Sequence, residues 1–285
     1  MNSTQDTAHR LAERGRRLPS AEELLRFRQV CLRSHAVLSE VADELFAGIT
    51  ERGAALLLGE RFLAAGADRF VVEPRVLFGQ RATLPVPGPW QDARPGWNTL
   101  ESTAVHLLEA VPILGGLPAP AALMGGLAGR PEGLGSGEQL LRDLRREIPE
   151  RIAAGASCRA LAQMVRGMGR QRGWRDASRP RAGWTLARRM DRPLGGLSSP
   201  QAPWGGAFLE RSRVGYFGLR RLAPAGLRPS ATWSTDPAAD TPVSEGLWSI
   251  ALRFARGPVG VVSRDFLWID QDGPRWLNDG PLPRS

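Results

Sequence analysis

Residues 247–254 alternate strictly. Trp248, Ile250, Leu252 and Phe254 hold one parity, and Leu247, Ser249, Ala251 and Arg253 hold the other. A period of two belongs to extended chain, where successive side chains point to opposite faces. Gly257-Pro-Val-Gly260 supplies a turn, and Val261 to Ile269 supplies a return strand. Asp270-Gln-Asp-Gly273 turns the chain again before Trp276. Residues 207–285 therefore read as a β-rich region, an antiparallel hairpin or meander.

Helical signals dominate the other end. Residues 1–18 read as a flexible polar arm. Ser20-Ala-Glu-Glu23 has the form of a capping box, in which Ser20 caps the helix and Glu23 reaches back. Leu24, Phe27 and Cys31 follow at helical spacing. A second helix is expected over 36–50, with Leu38, Val41 and Leu45 on one face, and a third over 54–65, closed by Gly66. Short β-rich runs come next, at 70–73, 76–78 and 82–84. Asn98 is positioned to cap a further helix running to Val111. Residues 19–130 are thus a helical region with short strands. The expected fold class is α+β, with N-terminal and central helices and a C-terminal antiparallel sheet.

Ala104 to Leu127 holds His106 and Glu109 as its only titratable side chains, but prolines and paired glycines interrupt it. A membrane-spanning helix wants roughly 20 uninterrupted apolar residues. No membrane role is expected. The first twenty residues show no secretory pattern, and the two cysteines, Cys31 and Cys158, do not make a disulfide framework. A reducing, cytoplasmic setting follows as the expectation.

The chain carries 38 basic and 29 acidic residues, a net charge of +9. Every basic residue is Arg, which GC-rich codon usage explains. The clustering is a separate matter. Residues 142–189 hold thirteen arginines against four acids, which is the whole excess. This lies in an Arg-rich helical and loop region over 136–192, with a second capping box expected at Ser136 and Gln139. One helix ends near Ala154. A glycine turn follows, then a helix from Cys158 to Met168 capped by Ser157. The order resembles a helix-turn-helix, although Arg151 stands where a small residue usually packs. Beyond Gly167, Trp174 and Trp184 interrupt the arginines.

Clustered Arg with interleaved aromatics suits phosphates and stacked bases. The expected function is a non-enzymatic, nucleic-acid-binding subunit of a larger nucleoprotein complex, with DNA or RNA and other protein subunits as partners. The expected contact residues are Arg159, Arg166, Arg170, Arg172, Arg175, Arg179, Arg181, Arg188, Arg189, Trp174 and Trp184. An adaptor docking an acidic partner is the alternative, since arginine also favours protein interfaces.

No catalytic, metal or cofactor set stands out. There is no Lys for a Walker loop or a Schiff base. A third reading, an enzyme of another kind, would use His106 with Glu109 one helical turn on, or Asp265, Asp270 and Asp272.

Overall fold

The computed structural model describes residues 19–83, 95–127, 132–177, 187–189, 232–233 and 240–279. It is an α+β fold in four layers, helices on sheet on sheet on helices.

The first helix layer is α1 (Ala21–Glu44) and α2 (Glu51–Ala64). The capping box forms: Glu23 N donates to Ser20 Oγ at 3.2 Å, and Ser20 N donates to Glu23 Oε2 at 2.9 Å. One helix of 24 residues replaces the two expected over 24–50. The helix runs through His35 unbroken, and the buried Ser34 beside it donates to the Ala119 carbonyl at 2.8 Å.

The first sheet joins β1 (Ala67–Phe78), β2 (Val105–Leu114), β3 (Leu117–Pro118) and β4 (Ala121–Gly126), all antiparallel. No helix forms over 98–111: the second half of that span, from Val105, is strand β2 instead. All ten residues of β2 are buried. A strand covered on both faces is apolar throughout, so it lacks the alternation that would identify it. The run at 82–84 differs in the opposite sense, since Gln80–Thr83 forms a short helix, α3.

The second sheet runs β10 (Gly273–Trp276), β9 (Val259–Asp270), β8 (Gly246–Arg256), β6 (Ala187–Arg189) and β7 (Thr232–Trp233). β5 (Arg175–Asp176) also pairs with β8. The expected hairpin forms in register, with Trp248 opposite Leu267 and Phe254 opposite Val261. Trp248, Ile250, Leu252 and Phe254 all face the outer helices.

Those helices are α4 (Leu134–Ala153) and α5 (Cys158–Gln171). Ser157 caps α5 as expected, accepting from Ala160 N at 3.2 Å. The second capping box does not form. α4 starts two residues before Ser136, and the Ser136 hydroxyl donates instead to the Gly133 carbonyl. Leu140, Leu144, Ile148, Leu161 and Val165 seat both helices on the sheet. The pair is a covering layer, and its short turn serves that packing. Two glycines allow the close approach: a Cβ on Gly137 would lie 2.6 Å from the Trp174 ring, and one on Gly169 would lie 2.6 Å from Phe254.

No helix among the described residues is long and apolar enough to cross a membrane.

Candidate functional site

The two sheets face each other across a buried seam. On β2, Leu108, Ala110 and Leu114 pack against the residues of α1 and α2. Val105 and Leu107 pack with Leu77, Met124 and Val262, while Val111 packs with Leu247, Phe266 and Trp268. Parity then places Glu109 on the seam and His106 on the helix side. The two side chains leave the strand in opposite directions. The acid–base pair expected from one helical turn is thus not formed, because the segment is a strand.

Glu109 is 3% exposed and forms ion pairs with both Arg75 of β1 and Arg264 of β9. Arg253 of β8 lies on the same face, diagonal to Arg264, since Arg253 stands opposite Val262 and Ala251 opposite Arg264. It donates to the Ala82 carbonyl at 2.7 Å. Three guanidiniums and one carboxylate from four strands therefore converge between the sheets. Burial lowers the Arg264 pKa to about 10. Burial, helped by the Arg264 charge, also lowers the Arg253 pKa to about 10.

A second buried carboxylate lies on the helix side. Glu51, at the first turn of α2, accepts from Phe78 N and Gly96 N at 2.9 Å each and pairs with Arg81. It ties the start of α2 to the end of β1. His106 is 3% exposed, its ring lies against Gly125, and neither ring nitrogen has a hydrogen-bond partner among the described residues. Burial pushes its pKa down to about 4.

The expected nucleic-acid contacts are dispersed. Trp174 is 1% exposed and sits in the core, under the Arg256 guanidinium at 4.9 Å. Arg166 pairs with Asp176 at 2.9 Å, and Arg172 with Asp143 at 2.5 Å. Arg159 is half-buried, and Arg170 and Arg175 are exposed. Arg188 and Arg189 lie on β6, opposite Ser249 and Trp248. Arg179, Arg181 and Trp184 lie outside the described residues. Of the C-terminal aspartates, Asp270 and Asp272 share one turn beside Arg275, and Asp265 stands apart from them. Asp265 pairs with Arg145 on the helix side, while Asp270 pairs with Arg275 and accepts from Trp268 Nε1 at 2.7 Å.

No family model and no curated protein matches this sequence. Its structure resembles several peptidases. An X-Pro aminopeptidase from Thermotoga maritima matches with a TM-score of 0.63 and 14% identity, over 96% of this chain and 66% of the other. A prolidase from Pyrococcus horikoshii matches at 0.62 and 13%, over 94% and 65%. A methionine aminopeptidase from Rickettsia prowazekii matches at 0.60 and 9%, over 92% and 99%. The chain spans a little under two thirds of the first two and nearly all of the third. The shared architecture is the pita-bread fold.

That likeness overturns the expectation of a non-enzymatic nucleoprotein subunit with nucleic acid and other subunits as partners. The reason is physical as well as comparative. Charge density along a sequence does not say whether the charge is free, and much of this cluster neutralises acids on its own layer.

The seam does not have the make-up of a metal centre. Such a centre needs converging side-chain ligands. Among the described residues, no three His, Cys, Asp or Glu side chains come together. Glu109 is clamped by arginines, and His106 points to the other face. A divalent cation at the seam would sit among guanidiniums, which repel it. The residues described there do not fit a metal.

The seam was hidden from sequence reasoning. Its members lie at 75, 109, 253 and 264, and no spacing rule connects them. The one available signal was Arg253, a charge in the alternating run at a position the second face was going to bury.

Proposed function

We propose that this chain recognises peptides and holds them at the seam between its sheets. The observation that carries the reading is the convergence of Arg75, Arg253 and Arg264 with Glu109 in that seam. The surrounding architecture, shared with peptidases over more than nine tenths of the chain, supports it. A peptide offers a carboxylate that guanidinium forks match in two parallel hydrogen bonds. The two buried free thiols, Cys31 and Cys158, accord with a reducing compartment for this activity.

Calorimetric titration with X-Pro and Met-X dipeptides tests the reading. Saturable binding is the expected result, weakened by Arg253→Gln. Release of free proline or methionine, followed with and without Mn²⁺ or Co²⁺, asks the enzymatic question separately. Metal-dependent release would make the chain a peptidase in its own right. Absence of any peptide binding would remove the reading.

A further inference from the structure

We infer that the outer face of α1 is a contact between two copies of this chain, packed antiparallel about a two-fold axis and enlarged by α2, whatever the seam binds.

The two helix layers meet water differently. Six large apolar side chains stand exposed among the described residues: Leu25, Leu32, Phe46, Leu56, Leu63 and Trp97, each between 44% and 74% exposed. Four of them lie on α1 and α2. Phe46 lies in the connection between these helices, and Trp97 lies against Arg52 of α2, at 5.3 Å from the guanidinium carbon. The outer positions of α4 and α5 are polar instead, with Arg142, Arg146, Glu150, Gln163 and Arg170. That second layer shows how this chain finishes helices that end in water, and α1 and α2 are finished otherwise. Exposed apolar side chains gathered on one face mark a contact surface.

On α1 the exposed residues fall on one line. Leu25, Gln29, Leu32, Ala36 and Ser39 recur at alternating steps of four and three, and all are exposed. That is the spacing of a coiled-coil seam. The line carries no charge over about 21 Å of helix. Leu24, Phe27, Cys31, Leu38 and Val41 take the other side and are buried in the core. A narrow uncharged stripe of this kind fits a second helix.

The charges beside the line say which helix. Past the capping box, Arg26 and Arg33 flank its first part, and Glu40, Asp43 and Glu44 flank its last, all exposed. The last turn of α1 holds no basic residue. Acids there oppose the helix dipole and gain from cations brought in from outside. An identical helix laid antiparallel brings Arg26 and Arg33 of each copy toward Glu40 and Asp43 of the other, with Leu32 and Ala36 near the axis. The patch is thus self-complementary, as a two-fold contact requires. A partner of one charge sign, an anionic lipid surface included, would be attracted at one end of the line and repelled at the other. Pairing through sheet edges is opposed, since the edge strand β1 carries Pro74 and the exposed charges Asp68, Arg69 and Glu73.

Sedimentation velocity of the full chain over a concentration series tests the contact. A reversible monomer–dimer equilibrium is expected. Leu32→Glu places a charge near the axis and is expected to weaken it about tenfold or more, the scale of one central apolar anchor. Arg26→Glu with Arg33→Glu makes the flank acidic at both ends, and Glu40→Arg with Asp43→Arg makes it basic at both ends. Each double variant alone is expected to self-associate more weakly by a similar factor, and an equimolar mixture of the two is expected to restore association. All of these positions are exposed in the single chain, so unfolding temperatures should stay close to the parent's. If Leu32→Glu nevertheless folds poorly, the mixing experiment decides.

A chain that stays monomeric at its highest soluble concentration overturns the inference. A dimer that Leu32→Glu leaves unchanged does the same, because another face then holds it. Charge variants that associate no better mixed than alone remove the antiparallel two-fold, and the inference with it.

Discussion

Two populations of arginine in this molecule behave differently. On the outer helices, Arg146 and Arg151 are largely in water, with side chains 73% and 58% exposed. Their partners lie three and four residues away on the same helix, Asp143 and Glu147. In the seam, Arg75 and Arg264 reach one carboxylate from two different sheets, each side chain under 15% exposed. The residue type is the same, and the surroundings decide what it does. Water screens the outer pairs, so they contribute little to stability and decorate a packing layer. Between the sheets burial weakens that screening, so the same charge becomes either a large cost or a recognition element.

The sharpest way to break this comparison is Glu109→Gln. It strips the shared carboxylate and leaves two buried guanidiniums without it. A loss of about 3–5 kcal/mol is expected, read from the urea midpoint. A loss no larger than that of an outer pair would mean the seam is wetter than its burial implies.

His106 is a buried base whose ring nitrogens have no hydrogen-bond partner among the described residues, and it gives the next largest effect. Its folded pKa of about 4 lies below the ordinary value of 6.5. The unfolded chain therefore binds more protons between those values, so stability rises with pH across that window. The contribution is complete above about pH 6.5 and is lost as pH falls toward 4, a matter of a few kcal/mol. Unfolding midpoints of His106→Gln at pH 4.5 and pH 7 should differ by less than those of the parent.

Packing on the outer layer is tested by Gly137→Ala. The new methyl would meet Val261 at 2.5 Å and the Trp174 ring at 2.6 Å. Overpacking of this kind costs about 1–3 kcal/mol, measurable by thermal or urea unfolding. It separates the layer's apolar contacts from its charges.

The smallest effect belongs to Arg151→Gln. It removes an exposed partner of Glu147 and should shift stability by less than about 1 kcal/mol in the same urea assay. A larger loss would erase the distinction between the two populations.

How much of this was legible follows from where each signal lies. The Ser20 capping box, the Ser157 cap and the alternation from 247 to 254 are local, because hydrogen bonds and side-chain parity act within a few residues. They were readable, and the structure has them. β2 was not readable: burial on both faces removed its alternation, and Asn98-Thr-Leu-Glu101 looked like a helix start. The arginine cluster misled because a sequence shows charge but not its partners. Arg172 finds Asp143 on the facing helix, and Arg145 finds Asp265 and Asp279 far along the chain.

By itself, the sequence determined where turns, caps and the C-terminal hairpin fall. Each depends on neighbours that covalent connectivity already holds together. Only the tertiary structure decided that β2 lies between two layers, that His106 and Glu109 part company, and that Arg75, Arg253 and Arg264 meet. Those outcomes depend on which faces the layers bury. Bringing positions 75, 109, 253 and 264 together requires the whole four-layer stack, because no shorter stretch of chain can exclude water from all of them.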